Sequence, residues 1–550
     1  MDKLFVIAIG GTGMRCLESF VHLCAIGMFD NREIDILTLD TDQNNGNKGR
    51  VEMLIDLYNK VKSNDENNID GGQANARTFF SAKLNLYRFF TKYTEPTRKT
   101  YKVLSQSGSA EDKDLSDLFF DRDSVQAFNL ERGYRAQTHL GSMLMYHGIV
   151  DAARNAARDG DSASIEEKEL KAFVEKLQNN QDSARVFVFG SVFGGTGASS
   201  IPVIPVALKE AVTVYSNGTK TLDTMRVKFG STLLTDYFSF SSPDAAQMND
   251  NEDGKVIADS NNFALNSQAA LQFYQADPTV RRTYRRFYHV GWPLPRASFA
   301  NNGKVITGGA EQKNTCHVTE LLCACSAYDF FMLDDNKLAN EEASYFYRTV
   351  NAKDTGQLDL KGSDFITEGG KFDNKLGSFF SFAHIVLSQY EAAWNDTDRS
   401  GVRGLLDRFM QQHITDYEDI NPNQARQINE YMKLFGYKFD EKTGNMIKGW
   451  IYQVRDSVPG NFIFIDEAFK TMRTEMKKIS AGQLFSNPEH NWSQLTGLIS
   501  KTDNSVDVLI SNMSKENTRP NGSQNVITTK EKFLAHIYNA ISLNQKFEQN

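Results

Sequence analysis

Five cysteines and eleven prolines are few for a chain of 550 residues. Cys16 and Cys24 fall in one apolar helical pattern, and Cys316, Cys323 and Cys325 fall in another. Neither group has the paired spacing of a zinc site or the density of a disulfide scaffold, so the expectation is reduced, buried thiols and no cysteine-bound metal. No uninterrupted apolar run approaches the roughly 18 residues of a membrane helix. There is no basic excess either: 61 Lys and Arg face 69 Asp and Glu, for a net charge of -8, which removes the electrostatic case for nucleic acid or an anionic membrane. The first strand pattern begins at Leu4, leaving no room for a leader before it. A cytoplasmic protein is expected. Neither an internal repeat nor a Gly-Lys-Ser/Thr P-loop ending occurs.

Two glycine loops stand out against these absences: Ile9-Gly10-Gly11-Thr12-Gly13-Met14 and Phe193-Gly194-Gly195-Thr196-Gly197-Ala198-Ser199. Each follows a short β-type run, Leu4-Phe5-Val6-Ile7-Ala8 and Val186-Phe187-Val188-Phe189, and each opens a helical pattern. A strand, a glycine turn and a helix N-terminus present backbone N–H groups and the positive end of a helix dipole to an anion. Two such loops on two strands of one sheet would grip a polyphosphate from both sides. The plainer alternative is a pair of tight turns.

The rest of the chain gives these loops a context. Residues 4–42 read as strand, loop, helix and strand, the last being Ile34-Asp35-Ile36-Leu37-Thr38-Leu39 and ending in Asp40-Thr41-Asp42. Residues 44–128, polar with one helical stretch at 51–61, read as an inserted surface excursion. Arg132-Gly133-Tyr134-Arg135-Ala136-Gln137-Thr138-His139-Leu140-Gly141 then runs into a helix at 142–157, with a second helix at 158–183. After the second loop come a strand at 226–234, a turn at Thr235-Asp236-Tyr237, a helix at 262–274 and a strand at 286–291. The helix at 315–333 is apolar nearly all round and therefore central. At this length two domains are the default. A nucleotide-binding domain over 1–333 and a second α+β domain over 334–550 are expected, the latter with helices near 380–394, 400–416, 423–434 and 530–543 and a strand and helix at 461–478.

Gly11-x-Gly13-x-x-Cys16 with Asp40 nearly fits the dinucleotide fingerprint, which keeps a Rossmann-type NAD(P)-binding oxidoreductase as a rival. Against it stand Cys16 at the third glycine position and the second loop, for which a dehydrogenase has no use. In order and loop chemistry, residues 1–42 and about 130–333 resemble the tubulin/FtsZ superfamily. Gly194-Gly195-Thr196-Gly197 matches its glycine signature, with Ala198-Ser199 departing from it. The resemblance implies an α/β parallel-sheet domain with a central helix, holding GTP or GDP and Mg²⁺. Gly10, Gly11, Thr12 and Gly13 would meet the phosphates from one side, and Gly194, Gly195, Thr196, Gly197 and Ala198 from the other. Asp40 and Asp42 would hold Mg²⁺ through water, Arg135 would neutralise the γ-phosphate, and Asp236 would take the ribose. Asn314 or His317 would read the base. Hydrolysis in that family is completed by an acidic segment of the next subunit, for which Asp334 and Asp335 are the choice here. The implied function is a GTPase that self-assembles head to tail into filaments, with a cargo or adaptor protein held by the insertion or the C-terminal part. A nucleotide-dependent switch or scaffold without long filaments is the alternative within the fold.

Overall fold

The computed structural model describes residues 2–63, 72–91, 114, 118, 134, 138–239, 260–292, 297–298, 309–310, 312, 314–339, 342–349, 362–387, 422–457, 512–513 and 515–543. Seven strands form one sheet: β1 (Lys3–Ile9), β2 (Glu33–Asp40), β3 (Lys83–Phe90), β4 (Ala184–Phe189), β5 (Lys228–Leu234), β6 (Tyr284–Val290) and β7 (Ser344–Arg348). Their spatial order is β3-β2-β1-β4-β5-β6-β7, and every pairing is parallel. An all-parallel sheet must be covered on both faces, and the strands show it by being apolar at both alternating sets of positions. In β1, Leu4, Val6 and Ala8 enter one hydrophobic cluster, whereas Phe5, Ile7 and Ile9 enter the other.

The helices divide accordingly. On the first face lie α1 (Gly10–Ala25), α2 (Gly46–Lys62) and the later α9 (Val318–Met332). The opposite face carries α3 (Thr138–Asp159), α4 (Ile165–Asn179), the short α5 (Gly195–Ser200), α6 (Ile204–Tyr215), α7 (Phe263–Ala276) and α8 (Pro278–Thr283). Right-handed crossovers explain the division up to β6: the chain winds one way from β1 to β3 and the other way from β4 onward, so its helices change face, and α9, between β6 and β7, is the exception that returns to the first face. Pro205 in the first turn of α6 and Pro202 just before it separate α5 from α6, where a continuous helix would need their missing N–H groups. The central helix α9 is buried at every position from Val318 to Phe331, as its all-round apolar composition requires.

Two expected boundaries are corrected. Residues 44–128 are not a pure excursion: β3 pairs along its whole length with β2, and α2 buries Val51, Leu54, Ile55, Tyr58 and Val61. The apolar spacing of α2 follows an Asn45 cap and marks a packed helix, which the surrounding polar composition obscured. Nor does the sheet end at 333, since β7 adds a seventh strand beyond β6. Beyond it lie α10 (Gly369–Ile385), α11 (Pro422–Phe435), a hairpin of β8 (Tyr437–Phe439) and β9 (Met446–Lys448), α12 (Trp450–Asp456) and α13 (Thr529–Ser542). Their buried side chains, among them Phe379, Tyr431, Trp450 and Phe533, join the cluster of α1 and α9 rather than forming one of their own among the described residues. The expected elements at 400–416 and 461–478 lie outside the described residues. Among the described residues no helix is long and apolar enough to cross a membrane.

Candidate functional site

The winding direction reverses between β1 and β4, which are neighbours in register from Lys3↔Ala184 to Ala8↔Phe189. Ligands of open α/β sheets bind at the carboxyl ends of the strands beside such a reversal. Both glycine loops are there. A methyl group placed on Gly10, whose φ is +65°, would lie 3.1 Å from Thr196 Cβ, so the loops touch.

The loops divide into glycines that let backbones meet and positions that open outward. A Cβ on Gly13 would sit 2.5 Å from the Phe189 carbonyl oxygen, and one on Gly197 would sit 2.5 Å from that of Ser191. No larger residue fits either place. Gly10 and Gly195 are buried as well, whereas Gly11, Thr12, Gly194 and Thr196 are half-exposed. Neither helix start carries a side-chain cap or an acidic residue in its first turn, so first-turn N–H groups remain for an acceptor from outside the helix. Ala198 is an exception among the expected contacts. Its N–H donates to Gly194 O at 3.1 Å, and its carbonyl accepts from the Tyr274 hydroxyl. It serves the helix and not the crevice.

Side chains from two other strand ends and from one helix start gather at the same edge. At the end of β2, Asp40 is 2 % exposed. Its Oδ1 accepts from the N–H of Thr41 (2.8 Å) and of Asp42 (3.3 Å), while Oδ2 has no partner among the described residues. Burial, reinforced by the Asp42 charge, pushes the Asp40 carboxyl up to about 7 against the pull of those N–H groups and Lys48. Asp42 is committed to the backbone, accepting from Asn44 N (3.1 Å) and Gly309 N (2.6 Å). At the end of β5, Asp236 is buried beside the second loop, where Val192 N donates to Leu234 O at 2.9 Å. The start of α3 reaches the edge too: Ser142 Oγ donates to Ser199 O at 2.8 Å, and Gly141 packs on the Ser199 side chain. Arg135 lies outside the described residues.

The entrance to α9 abuts the first loop. Arg15 donates to Thr315 O and pairs with Glu320, both ends buried. The Tyr237 hydroxyl donates to Glu320 Oε1 at 2.5 Å. Burial raises the Glu320 carboxyl, with Arg15 opposing. His317 is the N-cap of α9 in a capping box with Glu320, packed against Tyr237 and Trp292. Burial, and next the Arg15 charge, lowers its imidazole to about 3. The His317 imidazole is thus spent on the helix start. Asn314 pairs with Asn47, its N–H donating to Asn47 Oδ1 (3.4 Å) and its Oδ1 accepting from Asn47 Nδ2 (3.3 Å). It sits beside the first loop.

Asp334 and Asp335 are far from this edge within one chain. They follow the other end of α9, where Asp335 pairs with Arg185 (2.8 Å) at the start of β4 and with Lys228 at the start of β5. The Lys228 hydrogen bond, with Arg185 beside it, draws the Asp335 carboxyl below its ordinary range. Asp334 is exposed.

Some site residues escaped the sequence reading. Asn45, Asn47 and Gln312 converge on Gly11: a Cβ there would meet Asn45 Nδ2 and Gln312 Oε1 at 3.2 Å and Asn47 Nδ2 at 3.4 Å. An Asn before the helical period of 51–61 was a cap signal for Asn45. A lone Arg15 and a lone Glu320 on apolar helices were a signal for the buried pair. Gln312 had none. Among the described residues no three His, Cys, Asp or Glu side chains cluster to hold a metal. Neither known family models nor curated protein sequences match the chain.

Proposed function

We propose that this chain is a divergent tubulin/FtsZ-like nucleotide-binding protein that holds GTP or GDP in the crevice between the two glycine loops. The observation that carries the reading is the contact of the two loops on adjacent strands at the sheet's reversal point. Gly11, Thr12, Gly194 and Thr196 face the phosphates, whose negative charge is met by backbone N–H groups of both loops. Asp236 would take the ribose and Asn314 would read the base. A Mg²⁺ ion fits the sparse oxygen set here, because that ion keeps most of its waters and takes phosphate oxygens from the nucleotide. Asp40 Oδ2, buried and without a hydrogen-bond partner among the described residues, would accept from one of those waters.

The two ends of α9 support assembly. Its first turn meets the loop edge and its last turn meets the opposite edge, so Asp334 reaches a nucleotide only in another copy. Stacking copies head to tail is a heterologous contact, and where rotation does not close it gives filaments. Asp334 is the acid that would complete hydrolysis in trans, since Asp335 is held by Arg185 and Lys228. That commitment favours, as the second reading, a nucleotide-dependent switch that binds without fast turnover. Against the oxidoreductase stand Cys16 at the third glycine position of the fingerprint and the second glycine loop.

The test is the nucleotide retained by the purified full chain and its affinity for GTP, ATP and NAD⁺, alongside Thr196→Glu. That substitution places a carboxylate at a half-exposed position of the second loop. Guanine nucleotide on the parent, lost in the variant with an unchanged melting profile, is the expected result. Bound NAD(P), or unchanged GTP binding by Thr196→Glu, overturns the reading.

A further inference from the structure

The carboxamides over Gly11 form a polar contact whose chemistry conflicts with a bound phosphate. Asn45 caps α2, its Oδ1 accepting from the N–H of Asn47 (2.9 Å) and of Lys48 (3.3 Å). That double acceptance fixes the amide orientation and turns the Nδ2 group outward. Nδ2 donates to Gln312 Oε1 at 2.9 Å. Both atoms stand 3.2 Å from the point where a Gly11 side chain would begin. The segment carrying Gln312 is tied to the same corner by Gly309 N to Asp42 Oδ2 (2.6 Å) and by Gly46 N to Gly309 O (3.0 Å). It continues into Asn314, whose carbonyl accepts from Arg50 (2.9 Å), and so into the start of α9.

Resting on the nucleotide reading above, we infer that Asn45 and Gln312 form a latch displaced by the nucleotide's phosphate. A phosphate oxygen at Gly11 is an acceptor, as is Gln312 Oε1, and two acceptors cannot share that space. The Asn45 NH₂ donates to the arriving phosphate in place of Gln312, and the release of Gln312 removes one of the bonds that hold Gly309, Gln312 and Asn314 at this corner. Phosphate occupancy is thereby read at the entrance of the central helix. The Asn45–Gln312 hydrogen bond is the contact that the ligand must break.

The experiment uses the full chain stripped of nucleotide, with GTP·Mg²⁺ and inorganic pyrophosphate as calorimetric probes. Gln312→Ala removes the acceptor that holds the Asn45 NH₂ and is expected to bind both probes about five-fold tighter, the worth of one net hydrogen bond. Asn45→Asp keeps a good helix cap while replacing the NH₂ donor with a carboxylate, and is expected to bind both at least ten-fold more weakly. Gln312→Glu retains an acceptor for Asn45 and adds a negative charge, so it also weakens binding. Hydrogen exchange of Gly46 N–H, which Gly309 holds, should accelerate on adding pyrophosphate to the parent. If the parent binds GTP while Gln312→Ala binds it equally or more weakly with an unchanged melting profile, the latch is overturned and the nucleotide site stands. A parent that binds neither probe overturns both.

Discussion

Replacing Asp40 with Asn should make the protein more stable at neutral pH, and increasingly so as pH rises. The carboxyl is 2 % exposed, shares its corner with Asp42 and titrates at about 7 rather than the ordinary 3.8. A folded-state value raised above the unfolded one means stability is fully present below about pH 4 and lost as pH climbs through 7. At about 1.4 kcal/mol per pH unit, the ionised carboxylate costs the fold on the order of 4 kcal/mol at pH 8, and about 1.5 kcal/mol at pH 5. Asn keeps an oxygen for the N–H groups of Thr41 and Asp42 and removes the charge. Urea unfolding of parent and variant at pH 5, 6, 7 and 8 reads the difference directly. The variant's advantage should widen by about 2 to 3 kcal/mol across that range. GTP·Mg²⁺ should narrow the gap by stabilising the parent's carboxylate, and the variant should bind that complex more weakly. An advantage independent of pH, or a variant less stable at pH 8, would refute the assignment of a strained buried acid at this strand end.

Other outcomes follow from the same geometry. Gly13→Ala forces a Cβ to within 2.5 Å of the Phe189 carbonyl oxygen, so β1 and β4 must part; a loss of several kcal/mol in thermal or urea unfolding is expected. Glu320→Gln leaves Arg15 buried and uncompensated, costing about 3 kcal/mol or more, and Arg15→Met added to it should recover most of the loss; a cycle showing simple additivity would contradict the pairing. Asp334→Ala should leave nucleotide affinity intact and abolish turnover in the assembled state. Mixing it with Thr196→Glu subunits should restore part of the turnover, measured as phosphate release, because each supplies what its neighbour lacks.

The sheet was legible where the local pattern is self-sufficient. Runs such as Val186-Phe187-Val188-Phe189, apolar on both faces, belong only in a covered parallel sheet. An all-round apolar helix such as 318–332 belongs only at the centre. Polar sequence hid other parts. The Asn-rich run at 44–47 looked like surface because its side chains bond to Gln312 and Asn314, about 267 residues away along the chain, and that pairing has no local signature. Likewise β3 and β7 are edge strands: Lys83 and Arg88 interrupt β3, and Tyr345, Phe346 and Tyr347 of β7 are exposed, so neither carries the unbroken apolar run of β1 and β4.

The sequence by itself determined that two glycine loops would each end a buried strand and start a helix, since strand, turn and helix signals are all local. It determined too that Asp40-Thr41-Asp42 would close a second strand. Only the tertiary structure decided that β4 lies next to β1, which brings Gly10 against Thr196 and makes two separate turns one crevice. It also decided that Asp335 is consumed by Arg185 and Lys228, that Ala198 and His317 serve helix ends, and that a remote glutamine covers Gly11. The reason is physical: strand neighbours and long-range hydrogen bonds are fixed by how helices cover both faces of the sheet. That arrangement is a property of the whole chain, and no short stretch of it carries the information.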